Sequence, residues 1–377
     1  VFRENITAVT IYGNRDFERV FCNECRIRSL GFQAFRAEPP ILSQLRKGTG
    51  RGLFITQVRK TVARAARARY KAFSWVTAGE ISMQPIDRVR QMLLELVGGP
   101  DTPFAERRAA SKEFEDSFTP PPGLSIARDA LGGVPVEWIV PDNASPAHVF
   151  FHLHGGGYVL GSPAGARPLT TEFALRARCR VASVDYRLAP EHPFPAAVED
   201  GVAAWRGLLD AGTHPKDVVF GGDSAGGGLT LAVLIAARDV GLPMPAAAFA
   251  ISPWTDMRCE AETFRTLAAS DPLLTARSLK EMADAYLAGA DPKSPLASPA
   301  LADLSGLPPL LIHVGADEVL LDDTLALQKR AMASGVDARF KVWPHMIHVW
   351  HMFHPMLPEG SEAINELVAF TRAHWDK

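Results

Sequence analysis

Net charge, cysteine and long apolar runs are all scarce in this 377-residue sequence, and each shortage excludes something. The formal net charge is −2, so no global field draws the chain to nucleic acid or to an anionic membrane. The four cysteines, Cys22, Cys25, Cys179 and Cys259, are too few to staple a chain of this length. Cys22-x-x-Cys25 lacks the second Cys or His pair that would complete a zinc site. The apolar run 231–237 falls far short of the roughly 20 residues that span a bilayer. Residues 1–20 hold no apolar stretch of the kind a secretory signal needs. The expectation is a cytoplasmic protein in a reducing compartment, without membrane insertion or a nucleic-acid partner. With 47% apolar and 22% charged residues, wholesale disorder is also excluded.

The near-zero net charge hides a split. Residues 1–82 carry 15 Lys/Arg and 6 Asp/Glu, a net of +9, and the remainder carries −11. A boundary is therefore expected near Met83. Residues 1–82, with the Arg/Ala run 61–71, read as a basic N-terminal extension, appended to the folded protein or disordered. The competing reading is a basic amphipathic attachment helix. After Met83, apolar residues at helical spacing predict helices over 86–97 and 104–118, and the segment Pro120-Pro121-Pro122-Gly123 breaks the pattern as a linker.

Beyond the linker the periodicity changes. Strands are predicted over 134–140, 147–153, 180–186, 217–222, 246–251, 309–314 and 338–343. Helices are predicted over 169–179, 196–209, 224–238, 324–334 and 361–375. Strands that alternate with helices, and that are apolar along their whole length, imply an α/β fold with a mainly parallel sheet covered on both faces. Residues 260–290 interrupt this rhythm with helical material and no strand. Such an insertion, together with 83–118, can form a lid over one edge of the sheet.

Residues 220–226 read Phe-Gly-Gly-Asp-Ser-Ala-Gly at a strand-to-helix junction. A G-x-S-x-G string arises by chance roughly 0.2 times in a chain this long, so the string alone decides little. Its context is stronger: a serine on a sharp strand-to-helix turn needs small residues two positions before and after it, and the helix N-terminus favours negative charge beside it. No Lys-Ser or Lys-Thr follows, which disfavours a phosphate loop. His154-Gly155-Gly156-Gly157 follows a predicted strand. Three bare glycines, with the N–H of Ala225 after the serine, can present donors to an oxyanion. His154 reads as a structural residue of that loop.

A general base should follow in the chain. His345, His348, His351 and His354 recur every third residue between Pro344 and Pro355. The two prolines argue against one helix presenting all four to a metal, and His348 is the best single base. The acid should come from the loop 315–323, Gly-Ala-Asp-Glu-Val-Leu-Leu-Asp-Asp. Spacing does not choose between Asp317 and Glu318, while Asp322 and Asp323 suit the start of the following helix.

These motifs together resemble the hormone-sensitive-lipase-like branch of the α/β-hydrolases, the bacterial family IV carboxylesterases. The carrying stretches are HGGG at 154–157, GDSAG at 222–226, YRLAPEHPFP at 186–195, SPWTD at 252–256 and HMIHVW at 345–350. The resemblance covers nothing before residue 83. It implies the α/β-hydrolase fold, with cap helices over 83–122 and a catalytic domain over 123–377 that carries a cap insertion at about 254–290. It also implies a carboxylesterase acting on short- to medium-chain acyl esters, with no metal or organic cofactor, and pairing of two copies as a homodimer. The family's acid motif D-x-L-x-D falls, without gaps, on Glu318, Leu320 and Asp322. The expected triad is thus Ser224, Glu318 and His348, with Asp317 as the alternative acid and Gly155, Gly156, Gly157 and Ala225 as the oxyanion hole. Rival activities on the same triad are those of an amidase, a lactonase or a lipase. A binding protein on this fold would lack the histidine, as the plant gibberellin receptors that resemble this family do. Trp254, Met257 and Phe264 are candidates either for the acyl pocket or for plain core.

Overall fold

The computed structural model describes residues 9–14, 17–22, 83–96 and 103–375, and the chain divides into two units between Ser82 and Met83. In the first unit, strands β1 (Val9–Asn14) and β2 (Phe17–Cys22) pair antiparallel, with Val9 opposite Cys22 and Asn14 opposite Phe17. The sequence reading assigned neither strand. The Arg/Ala run 61–71 and Cys25 lie outside the described residues.

The second unit begins with helices α1 (Pro85–Leu96) and α2 (Phe104–Ser117), close to their predicted bounds. An unanticipated strand follows the proline-rich linker. β3 (Leu124–Leu131) pairs antiparallel with β4 (Val134–Pro141) through the turn Gly132-Gly133, where both glycines have positive φ, as two-residue hairpin turns require. β3 is the edge of the sheet and most of its residues are exposed. It therefore lacks the apolar alternation that reveals a half-buried strand.

The remaining strands are β5 (Val149–Leu153), β6 (Arg180–Val184), β7 (Val218–Asp223), β8 (Ala247–Ile251), β9 (Leu310–Gly315) and β10 (Ala338–Trp343). The sheet order is β10-β9-β8-β7-β5-β6-β4-β3. All neighbours from β6 to β10 are parallel, and β4 runs antiparallel to β6, Val136 facing Val184. β5, β8 and β9 are buried along their full length, which is why they read as unbroken apolar runs.

Side chains alternate across each strand, so the sheet has two cores. On one face Phe150 meets Phe173 of α3 (Arg167–Ala177) at 4.5 Å between ring centroids, and Phe249 at 5.0 Å. Ile364 and Leu367 of α9 (Pro358–Trp375) join that cluster. On the other face Phe151 stacks on Phe220 at 4.5 Å and meets Trp205 of α4 (Ala196–Asp210) edge-on at 6.2 Å. Helices α5 (Ala225–Asp239), α7 (Ala276–Leu287) and α8 (Leu321–Ala333) share that core, and the short α6 (Thr263–Thr266) adds Phe264. Among the described residues no helix is long and apolar enough to cross a membrane.

Because the central strands run in one direction, the segments that follow β5, β7, β8, β9 and β10 all emerge at one edge of the sheet. That is where ligands bind in open α/β sheets. The double-sided core predicts unequal costs. Phe151→Ala should lower the free energy of unfolding in urea by about 3 to 5 kcal/mol. Val342→Ala, at a 43% exposed position of β10, should change it by less than about 0.5 kcal/mol. Equal effects would contradict this placement of the core.

Candidate active site

β7 ends at Asp223 and α5 begins at Ala225, so Ser224 makes the whole turn alone, with φ 54° and ψ −123°. A non-glycine residue there is strained by about 1 to 3 kcal/mol and persists only when its surroundings fix it. They do. The Ser224 N–H donates to the Ile251 carbonyl at 2.8 Å, and its own carbonyl accepts from Gly227, Gly228 and Trp254 at 3.0 to 3.1 Å. The strand and helix pass so closely that a Cβ on Gly226 would strike the carbonyls of Leu153 and His154, and one on Gly222 would strike those of Leu153 and Gly226. The Ser224 hydroxyl does not cap the helix that it opens, although serine is a favoured capping residue. Its oxygen is thus left free for other work.

Glu318 and His348 come from the segments after β9 and β10. His348 Nδ1 and Glu318 Oε2 are 2.8 Å apart, with both side chains buried. A carboxylate can only accept, so Nδ1 carries the proton and Nε2 keeps its lone pair. Burial alone would lower the pKa of His348. The hydrogen bond to Glu318 and the charges of Glu318, Asp271 and Asp223 outweigh burial and hold it above the ordinary value. Glu318 Oε1 accepts from Ser252 Oγ at 2.8 Å and from the Gly315 N–H. Ser252 Oγ also receives the Val349 N–H at 3.1 Å. Ser252 directly follows Ile251, the residue that anchors Ser224, so one web of bonds ties the serine, the carboxylate and the imidazole. Among the described residues no hydrogen bond joins Ser224 Oγ to His348. Such bonds are commonly long before substrate binds.

Gly155, Gly156 and Gly157 follow β5, and Gly156 and Gly157 have φ of 120° and 63°. Among the described residues the N–H groups of these three glycines and of Ala225 make no hydrogen bond within the protein. The loop around them is held firmly. Val159 and Leu160 N–H donate to the Gly156 carbonyl. His154 lies stacked on Tyr186 at 4.2 Å and binds the Gly155 carbonyl through Nδ1 at 2.8 Å, and burial lowers its pKa to about 4. Tyr186 donates its hydroxyl proton to the His154 carbonyl at 2.7 Å. Arg108 of α2 binds the carbonyls of Val159 and Ala189 at 2.8 and 2.7 Å. From the segment between β8 and β9, Tyr286 of α7 stacks on Tyr158 at 3.8 Å, and Met282 sits where a Cβ on Gly157 would lie.

The other candidates separate. Asp317 pairs with Arg90 Nη2 of α1 at 2.6 Å. Asp322 and Asp323 lie in the first turn of α8. They accept backbone N–H groups from 255, 256 and 263, binding down the segment that follows β8. His351 is buried against His313 at 3.1 Å, and His354 meets the Pro168 carbonyl at 3.3 Å. Among the described residues no group of three or more His, Cys, Asp or Glu is arranged to hold a metal ion. Trp254, Met257 and Phe264 are all buried in the main core. Sequence reasoning missed the parts played by Ser252 and Asp271. The first stood in plain view in the stretch SPWTD, but nothing local to it points at Glu318.

Comparison with known proteins bears on this arrangement. A family described as alpha/beta hydrolase fold matches residues 150–352. An acetyl-hydrolase of Streptomyces hygroscopicus is 48% identical over 269 residues, covering 71% of this chain and 89% of the relative. The carboxylesterase NlhH of Mycobacterium tuberculosis is 32% identical over 324 residues, covering 79% and 99%. The crystal structure of an esterase from the bacterial hormone-sensitive lipase family superposes with a TM-score of 0.75 at 46% identity, covering 77% of this chain and 98% of that one.

The geometry predicts how His348 titrates. Glu318→Gln keeps the shape and removes the charge that raises the imidazole pKa. The His348 titration, followed by NMR, should therefore move to lower pH. An unmoved titration would show that Glu318 is not the group that sets it.

Proposed function

As the chain belongs to the α/β-hydrolase family, in its hormone-sensitive-lipase-like esterase branch, and is a carboxylic ester hydrolase, we propose that it cleaves short- to medium-chain acyl esters with a Ser224–His348–Glu318 triad. The observation that carries this reading is the buried Nδ1–Oε2 contact between His348 and Glu318, beside a strained serine whose hydroxyl caps nothing.

His348 Nε2 takes the Ser224 proton as Oγ bonds to the ester carbonyl carbon. The carbonyl oxygen becomes an oxyanion and accepts from the N–H groups of Gly155, Gly156, Gly157 and Ala225. Each such donor is worth about 3 kcal/mol in the transition state. The imidazolium is stabilised by the adjacent carboxylate of Glu318. The intermediate collapses, the bond to the alcohol oxygen breaks, and His348 gives that oxygen its proton. Water then repeats the sequence on the acyl-enzyme and releases the acid. Only neutral His348 can act as base, so kcat/KM should rise with pH through a value above the ordinary histidine pKa of about 6.5.

In this reading the cap, residues 83–122 with 254–290, sets acyl length, which is supported by Met282 and Tyr286 packing on the glycine loop. One methylene is worth about 1 to 3 kcal/mol in an apolar pocket, so preference among chain lengths should be graded rather than absolute. The place of β10 at the end of the sheet order supports pairing with a second copy. Sedimentation at twice the chain mass is the expected result, and sedimentation at the single-chain mass would refute the pairing.

A graded panel of p-nitrophenyl esters, with matched anilides, tests the central reading. Ser224→Ala should abolish the acylation burst and cut kcat by roughly a million-fold. Glu318→Gln should cut it by about 10,000-fold, and Asp317→Asn by far less. Normal turnover by the serine variant, or a greater loss from Asp317→Asn than from Glu318→Gln, would overturn the assignment. Faster release from anilides than from esters would make the enzyme an amidase.

A further inference from the structure

Helix α1 supplies no member of the proposed triad, yet it is built into two of the loops that do. Val89 and Leu93, both buried, pack with Trp343, Met346, Ile347 and Trp350 in a hydrophobic cluster of their own. Those four residues lie on either side of His348. Between Val89 and Leu93, Arg90 reaches three other segments with one guanidinium. Nη2 donates to Asp317 Oδ2 at 2.6 Å and to the His345 carbonyl at 3.3 Å, and Nη1 donates to the Ser270 carbonyl.

Each contact falls beside a residue that matters. Asp317 immediately precedes Glu318. His345 is three residues before His348 and holds a left-handed backbone, φ 63°. Ser270 immediately precedes Asp271, whose Oδ2 accepts the Val319 N–H at 3.0 Å, and Val319 immediately follows Glu318. The acid is thus gripped on both flanks, by Arg90 through Asp317 and by Asp271 through Val319. Asp317 N–H also donates to the Met346 carbonyl at 3.1 Å, stitching the acid loop to the histidine loop. Arg90 and Asp317 are 22% and 30% exposed, and partly exposed ion pairs add little to overall stability. What the guanidinium does offer is a rigid fork of five donors, which a lysine does not have.

We propose that Arg90 is a positioning residue: it locks the acid loop, the histidine loop and the cap insertion together so that Glu318 stays against Nδ1 of His348. The proposal rests on the triad given above. It makes α1 a working part of the hydrolytic apparatus as well as a cover for it.

The test compares the full-length chain with Arg90→Met, Arg90→Lys and Asp317→Asn on one p-nitrophenyl ester, with Ser224→Ala alongside. Arg90→Met keeps the apolar stem and removes the fork. It should lower kcat by about 10- to 100-fold, the usual cost of misplacing a catalytic group, with KM little changed. The acid limb of kcat/KM should also move to lower pH. Three carboxylates face the imidazole charge, Glu318, Asp271 and Asp223, and loosening the first removes the strongest. Arg90→Lys should recover part of the loss. Adding Arg90→Met to Asp317→Asn should cost little more than the worse single change. If Arg90→Met does not fold, Asp317→Asn breaks the same ion pair from its other end and carries the same expectations for kcat, KM and the acid limb. An unchanged kcat, a loss confined to KM, or a fall in kcat without movement of the acid limb would overturn the proposal. Turnover that survives Ser224→Ala would instead remove the triad reading. An inactive serine variant beside a normal Arg90→Met would remove only the role given to Arg90.

Discussion

A buried carboxylate is the constraint on which this structure turns. Glu318 is wholly shielded from solvent, and an ionised carboxylate taken out of water is strongly unfavourable unless charged or polar partners replace its hydration. Here the partners are the His348 ring, the Ser252 hydroxyl and the Gly315 N–H. They come from the ends of three adjacent strands, β10, β8 and β9. The parallel order of the sheet therefore does more than support the site. It brings the three partners of Glu318 to one edge.

The same arithmetic explains the serine. Ser224 is held in a costly backbone conformation by β8, through the Ile251 carbonyl, and by the close passage of Gly222 and Gly226 under β5. β8 thus serves both ends of the site. Its last residue holds Ser224, and the next residue in the chain, Ser252, holds Glu318. The donors around the glycine loop point the same way. Two helical segments that are distant in sequence, α2 with Arg108 and α7 with Met282 and Tyr286, hold a loop in which, among the described residues, the N–H groups of Gly155, Gly156 and Gly157 make no hydrogen bond.

Much of this was legible in the residues because local pattern and burial coincide in the central strands. β5, β8 and β9 are apolar throughout because both their faces are covered. The elbow shows itself because close backbone passage demands glycine on either side of the serine. β3 was not legible, since an edge strand exposed along most of its length carries no periodic signal. The preference for Glu318 over Asp317 came from motif alignment; in the fold Glu318 contacts the His348 ring and Asp317 pairs with Arg90. Ser252, Asp271 and Arg90 escaped notice for one reason. Each acts through contacts that span dozens to hundreds of positions in the chain, and no local window holds both ends.

The most direct test is the structure of the chain after reaction with an alkyl p-nitrophenyl phosphonate, whose tetrahedral phosphorus imitates the acylation intermediate. Phosphorus should be bonded to Ser224 Oγ. The phosphonyl oxygen should lie about 3 Å from the N–H groups of the 155–157 loop and of Ala225, with His348 Nε2 turned to the adduct and Nδ1 still bound to Glu318. Label on another residue, or an imidazole that has left Glu318 and faces away from the phosphorus, would contradict it.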